Sequence, residues 1–128
     1  MKTMKTMKTG GCLRQGDVLL VRVADSHVTA AHKEVPRENG RVVVALGESS
    51  VHAHVFRDPG VRMLRREGSG QDVREDVIRV LGLCDLLTEG GELAPGKPRH
   101  TPVSVPPGTY RLVIQREMGS EYSRRAED

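Results

Sequence analysis

The sequence predicts a single all-β domain, folded as a small barrel or sandwich of about six to eight short strands with at most one short helix. Its length of 128 residues fits one domain. The 14 glycines and 7 prolines divide the chain into short segments, most of which are rich in valine. Short valine-rich segments between turn residues are typical of β-sandwiches and barrels.

The two ends of the chain differ from its middle. Residues 1–11 contain Met-Lys-Thr three times, followed by two glycines, and residues 119–128 are mostly polar. Neither segment has the apolar pattern that a packed core needs. We therefore expect mobile tails at residues 1–11 and 119–128 around a β-domain at residues 12–118.

Strands can be placed between the breaks. The first, at residues 17–23, has apolar side chains on both faces and is predicted to be a central strand. The second, at residues 41–46, follows the turn signal Glu38-Asn39-Gly40. Further strands are expected at residues 51–56, 61–65, 101–105 and 110–117. The predicted core consists of Val18, Leu20, Val21, Val43, Val55, Val103, Val105, Leu112 and Ile114.

Residues 72–87 fit two structures. Val73, Val77 and Val80 recur at helical spacing, and acidic residues lie at the start of the segment, as in a helix. The run at residues 77–81 is an equally good strand, and Gly82 interrupts the helical pattern. Strand is preferred slightly, because the rest of the chain is β.

Charge and composition limit the possible partners. Lys2, Lys5 and Lys8 lie in the leading repeats, and without these three the 20 basic residues fall to 17, which equals the number of acidic residues. A neutral domain with one Phe, two Tyr and no Trp offers neither a basic face nor an aromatic platform for bases. Nucleic acid is therefore not an expected partner. A core without large aromatic side chains gains from further burial, so a homodimer or a protein partner is expected instead.

The compartment is predicted to be the cytoplasm. No apolar stretch approaches the length of about 20 residues that crosses a bilayer, and no signal peptide is recognisable. Cys12 and Cys84 are too few for a disulfide scaffold and form no CxxC pair. The chain also contains no glycine-rich phosphate loop and no Gly-x-Ser-x-Gly turn, so it offers no complete set of catalytic residues.

The most specific local feature is a His-x-His pair. On a strand, His52 and His54 point to the same face as Phe56, with their Cα atoms about 7 Å apart. Both imidazoles can then reach one metal ion. His100 and Glu48 are the expected further ligands, and the set suits a divalent transition metal (Zn, Ni, Fe or Mn). No other cofactor is expected.

Three other interpretations of the pair stay open. The histidines could form a polar surface stripe or a hydrogen-bonded pair, or they could donate hydrogen bonds to a small polar or anionic ligand. Metal affinity would fall as the pH drops towards about 5, whereas anion affinity would rise. A second ligand-binding candidate is Gln115 with Arg116, since a guanidinium binds phosphate or carboxylate in a bidentate manner. The alternative for these two residues is a charged strand edge that discourages pairing.

Two family resemblances are visible. The His52-x-His54 pair with Asp58, followed by residues 105–110 (Val-Pro-Pro-Gly-Thr-Tyr), resembles the two motifs of a cupin. That resemblance implies a small barrel whose metal is held by the two histidines, a carboxylate and a later histidine. The chain also resembles a family of short uncharacterised bacterial and phage proteins over residues 15–117, through the segments Gln-Gly-Asp-Val-Leu-Leu, Gly-Glu, His-Ala-His, Pro-Pro-Gly-Thr-Tyr and Gln-Arg-Glu. This second resemblance implies no activity.

The sequence thus predicts a small β-domain that acts as an interaction or ligand-binding module without catalysis. The alternative is a cupin-like metal-binding protein or metalloenzyme. The presence of the His-x-His pair favours the alternative, and the lack of a complete catalytic set favours the module.

Overall fold

A computed structural model describes residues 6–46, 52–69, 73–92 and 94–115 of the chain. In these ranges the chain forms ten β-strands and a single 3-10 turn at Asp25–His27. The strands are β1 (Cys12–Gln15), β2 (Val18–Val23), β3 (Lys33–Glu34), β4 (Val42–Leu46), β5 (Ala53–Phe56), β6 (Val61–Arg66), β7 (Glu75–Val80), β8 (Cys84–Glu89), β9 (Val103–Val105) and β10 (Gly108–Ile114).

The strands form two antiparallel sheets. One has six strands in the order β1-β2-β10-β7-β6-β3, and the other has four in the order β4-β5-β8-β9. Side chains from both sheets meet in one apolar core. The described strands do not close into a barrel. The all-β prediction is therefore confirmed, and the architecture resembles a sandwich. No helix in the described parts of the chain has the length and apolar character needed to cross a membrane.

The ambiguous segment at residues 72–87 contains strands, as preferred. It contributes β7 and the first part of β8, so it holds two strands where one was predicted. β7 belongs to the six-stranded sheet and β8 to the four-stranded sheet, and the turn at residues 81–83 carries the chain from one to the other. The valines at helical spacing therefore did not indicate a helix, because β-branched side chains pack equally well on strands.

The turn before β4 follows the local sequence. Asn39 and Gly40 both have positive φ angles, 54° and 75°. The backbone groups of Glu38 and Arg41 exchange two hydrogen bonds across them, at 2.8 and 3.0 Å. Asparagine followed by glycine suits this two-residue turn because both tolerate the left-handed conformation.

The core lies between the inner faces of the two sheets. Of the predicted core residues, Val18, Leu20, Val55 and Val105 are fully buried. The largest of the other fully buried side chains, which the prediction missed, are Tyr110, Phe56, Ile78 and Leu86.

The remaining core predictions need correction. Val21 and Val43 are half-buried, as are Val103 and Leu112, and Ile114 is 38% exposed. Val21 points away from Leu20 on a strand that is fully covered on one face only. A register shift between Val43 and Ala45 marks a bulge in β4, and the core receives Val42 and Val44 instead of Val43. A run of consecutive valines contains no alternation that would show which face is buried. Ile114 is the last residue of β10, where cover from the other sheet ends.

Most of the buried polar side chains lie at one end of the sandwich. Gln15 and Asp17 flank the turn between β1 and β2, while His52 and His54 lie at the start of β5. Thr88, near the end of β8, is the fifth member of this group. Buried polar groups need hydrogen-bond partners, so this end of the core is held together by polar contacts.

Two matched leucine substitutions test the position of the core. Leu20→Ala should lower the free energy of unfolding by about 2–5 kcal/mol, because Leu20 is fully buried between the sheets. Leu81→Ala should change it by less than about 0.5 kcal/mol, because that side chain is 78% exposed. Urea denaturation measures both values. Equal losses in the two variants would contradict the assignment of the inner face.

Candidate functional site

Three histidines meet between the sheets. His52 and His54 share the inward side of β5 with Phe56, as alternation along a strand predicts, and His100 lies just before β9. The ring centroids are 5.5 Å apart for His52 and His54, 5.8 Å for His52 and His100, and 5.7 Å for His54 and His100. One nitrogen from each ring lies within 4.8 Å of the other two. The structure therefore brings together the three histidines that were predicted.

Burial decides one of the open alternatives. His52 is 3% exposed and His54 is fully buried. A polar surface stripe would be exposed to solvent, so that interpretation of the pair is wrong.

A buried amide fixes the tautomer of His54. Gln15 donates through Nε2 to the carbonyl oxygens of Leu86, at 2.9 Å, and Thr101, at 3.1 Å. Carbonyls only accept hydrogen bonds, so the amide nitrogen faces them and Oε1 faces Nδ1 of His54, at 2.9 Å. Nδ1 must therefore carry a proton and donate it. In the neutral ring, Nε2 then carries the lone pair.

A buried carboxylate lies on the other side of His54. Oδ1 of Asp17 is 3.8 Å from Nε2 of His54, and the Asp17 side chain is 2% exposed. The backbone N–H of Gln115 donates to the carbonyl oxygen of Asp17 at 2.8 Å, which ties the turn between β1 and β2 to the end of β10. The side-chain carboxyl group of Asp17 thus lies beside the Nε2 atom of His54.

Thr88 fixes the backbone of His100. The hydroxyl of Thr88 donates to the His100 carbonyl oxygen at 3.2 Å and accepts the His100 N–H at 3.1 Å. Residues 98–102 form no strand, so these two bonds take the place of ladder bonds there. Thr88 is directly opposite His54 on the neighbouring strand. β8 therefore positions His100 next to the pair on β5.

Of the other predicted site residues, the structure describes Gln115 and Asp58, and neither lies in this cluster. Glu48 and Arg116 lie outside the described residues. Gln115 is exposed, and its side-chain oxygen accepts a hydrogen bond from Arg14. Asp58, the carboxylate that the cupin resemblance implied, is exposed beyond the far end of β5 and accepts the N–H of Gly60 at 2.7 Å.

Sequence reasoning missed three residues around the histidines: Gln15, Asp17 and Thr88. Gln15 and Asp17 were noticed only as part of a family motif. Gln15 meets His54 across 39 positions of sequence, and no local pattern reports such a contact. A polar side chain at an inward position, next to the apolar run of β2, was the available signal.

A second cluster, on the six-stranded sheet, was also missed. Oε2 of Glu75 lies 2.8 Å from Nε2 of His27, and Oε1 lies 2.9 Å from Nε2 of His32. The Thr29 N–H donates to Nδ1 of His32 at 3.0 Å, so the neutral His32 ring carries its proton on Nε2 and donates to Glu75. That proton occupies the position a metal would need. This cluster is therefore a hydrogen-bonded clasp between residues 27–32 and β7.

The clasp changes the acidity of Glu75. Burial alone raises the pKa of this carboxyl, but hydrogen bonds from His32 and His27 and the charge of those rings lower it by more. The pKa of Glu75 therefore lies below its ordinary value of 4.5.

Glu75→Gln should weaken the fold in a pH-dependent way. A carboxyl whose pKa is lowered by folding stabilises the protein above its ordinary pKa, and this stability is lost as the pH falls through the folded-state value. The wild type should exceed the variant by about 1–2 kcal/mol at about pH 7, with the difference fading below pH 4.5. Urea denaturation across this pH range measures the difference in the free energy of unfolding.

Glu34→Gln is the control. It removes a half-exposed partner of Arg62 and should change the free energy of unfolding little. A difference that stays constant down to about pH 3 would contradict the clasp.

Comparison with known proteins assigns the chain to a domain family. Residues 14–115 match the model of a family described as "Domain of unknown function (DUF8820)". No curated protein and no solved structure matches the chain. The matched range runs from β1 through β10 and contains the three histidines, Gln15 and Asp17. Because this match covers most of the 128 residues, the chain belongs to the DUF8820 domain family.

Proposed function

We propose that this domain binds a divalent transition metal through His52, His54 and His100. The observation that carries the proposal is the hydrogen bond between Nδ1 of His54 and the anchored amide of Gln15. Metal-binding histidines characteristically donate their second ring nitrogen in this way, which orients the ring and raises the basicity of the metal-binding nitrogen. Nδ1 of His54 thus carries a proton, and in the neutral ring Nε2 is the nitrogen that would bind the metal.

The separation of the three rings supports this use. In a tetrahedral site with Zn–N bonds of about 2.0–2.1 Å, ligand nitrogens lie about 3.4 Å apart. The three imidazoles already place nitrogens within 4.8 Å of one another. Small side-chain rotations would complete the shell, with no movement of the strands.

Charge favours a cation over an anion at this place. The buried carboxylate of Asp17, 3.8 Å from His54, would repel an anionic ligand and attract a metal ion. This argues against the alternative in which the histidines donate hydrogen bonds to an anion.

The donor set narrows the choice of metal. Imidazole nitrogen suits zinc, nickel and iron, whereas manganese prefers oxygen ligands. Of the four metals expected from the sequence, we therefore propose zinc, nickel or iron. The His-x-His pair with a later histidine is similar to the ligand set implied by the cupin resemblance, although the carboxylate beside it is Asp17 rather than Asp58.

The affinity of the untagged protein for zinc and nickel gives the first test of the proposal. The His52→Ala/His54→Ala variant should lose metal affinity by about 100-fold or more, because two of three ligands are gone. The matched control is His27→Ala/His32→Ala, which also removes two histidines but from the clasp. Calorimetric titration with zinc and with nickel at about pH 7.5 measures both variants. Equal affinity in the two double variants, or no binding by the wild type, would reject the proposal.

Gln15→Leu tests the role of the amide. It removes the acceptor for Nδ1–H of His54 without touching a ligand, so zinc affinity should fall about 10- to 100-fold. Gln115→Leu is the matched control, since that side chain is exposed and should leave affinity unchanged. Imidazole NMR spectra of the metal-free protein should show the proton on Nδ1 of neutral His54. A proton on Nε2 instead would contradict the argument from the tautomer.

A further inference from the structure

We propose a second binding site, for a small organic anion carrying a phosphate group, at the opposite end of the six-stranded sheet. A cavity of about 410 Å³ lies there, where β2 ends and β6 and β10 begin. Arg22, Arg62 and Arg79 line it, and Asp25 is the one acidic residue among the described residues of the lining. Arginine is a common phosphate-binding residue because its guanidinium group donates bidentate hydrogen bonds.

The strand register places two of these arginines directly opposite each other. Arg62 on β6 pairs with Arg79 on β7, and Arg79 pairs in turn with Thr109 on β10. Side chains that are directly opposite on antiparallel strands lie about 5 Å apart at Cβ, and like charges there are destabilising. An anion bound between Arg62 and Arg79 would turn this repulsion into attraction.

Of the three arginines that line the cavity, Arg79 has the positive charge that nearby carboxylates compensate least. Oε1 of Glu34 accepts hydrogen bonds from Nε and Nη2 of Arg62 at 3.1 and 2.6 Å. Oδ1 of Asp25 lies 3.8 Å from Arg22 and accepts a hydrogen bond from the Thr109 hydroxyl at 2.7 Å. Among the described residues, Arg79 makes one long hydrogen bond, 3.4 Å to the carbonyl oxygen of Asp25, and no ion pair. Its guanidinium is therefore the main candidate to bind the phosphate.

Arg22 is held in place by the backbone around it. Its Nη1 donates to the carbonyl oxygens of Val23 and Thr109, and the side chain is only 13% exposed. Gly108 allows this position, because a Cβ atom there would lie 2.4 Å from Nε of Arg22. Arg22 thus adds a fixed positive charge to the wall of the cavity.

An apolar wall completes the site. Val80, Leu81 and Pro107 line the cavity, and Leu81 is 78% exposed. A volume of about 410 Å³ exceeds what a bare phosphate ion fills and lies within the range of small-molecule sites. We therefore expect the ligand to have an apolar or aromatic body next to Leu81 and a phosphate group towards Arg79.

Phenyl phosphate is a suitable probe, with inorganic phosphate and benzoate as comparisons. Phenyl phosphate should shift the amide NMR signals of Gly60 and Gly108, which line the cavity, in a saturable way. It should bind more tightly than inorganic phosphate, because it covers the apolar wall, and more tightly than benzoate, because phosphate offers more acceptor oxygens. No saturable shift up to about 10 mM would overturn the proposal. So would benzoate binding as tightly as phenyl phosphate.

A matched pair of arginine variants tests the position of the site. Arg79→Met should weaken phenyl phosphate binding by at least about tenfold, because it removes a charged donor. Arg74→Met removes the same charge just before β7, about 17 Å away along the strand, and should change binding by less than about twofold. Equal weakening by both variants would mean that only overall charge matters, and the site would be rejected.

Discussion

The side-chain amide of Gln15 joins the two sheets at the place where the histidines meet. Its nitrogen binds backbone oxygens of Leu86 and Thr101, and its oxygen binds His54. A buried amide that lost these partners would cost about 1–3 kcal/mol for each unmade bond. The contact between the sheets at this end and the proton on Nδ1 of His54 therefore depend on the same side-chain amide.

Much of the fold follows from local sequence, and much of the site does not. Glycines and prolines mark the breaks between strands, and alternation places His52 and His54 on one face. A run of consecutive valines does not show which face of the strand is buried, so Val43 was expected in the core where Val42 and Val44 lie. The contacts of Gln15 and Asp17 with His54 depend on how the two sheets meet, and the sequence signals only that a polar side chain lies at an inward position there, without showing its partner.

The clasp of His27, His32 and Glu75 is a second set of contacts that local sequence patterns do not predict. His27 and His32 lie in one segment and Glu75 lies on β7, more than 40 positions later, and the three meet because residues 27–32 lie against β7. Their geometry also shows why a cluster of ligand types is not by itself a metal site. The hydrogen-bond partner of Nδ1 decides which ring nitrogen carries the proton: the side-chain oxygen of Gln15 puts it on Nδ1 of His54, and the Thr29 N–H puts it on Nε2 of the neutral His32.

The bulge in β4 has a consequence for the behaviour of the protein at high concentration. β4 is the edge of the four-stranded sheet and consists entirely of apolar residues, Val-Val-Val-Ala-Leu. A regular apolar edge of this kind can act as a template on which strands of other molecules assemble. The register shift between Val43 and Ala45 interrupts the even spacing of the backbone groups along that edge. The same irregularity that misled the assignment of the core therefore makes β4 a poorer template for strand pairing than a regular strand would be.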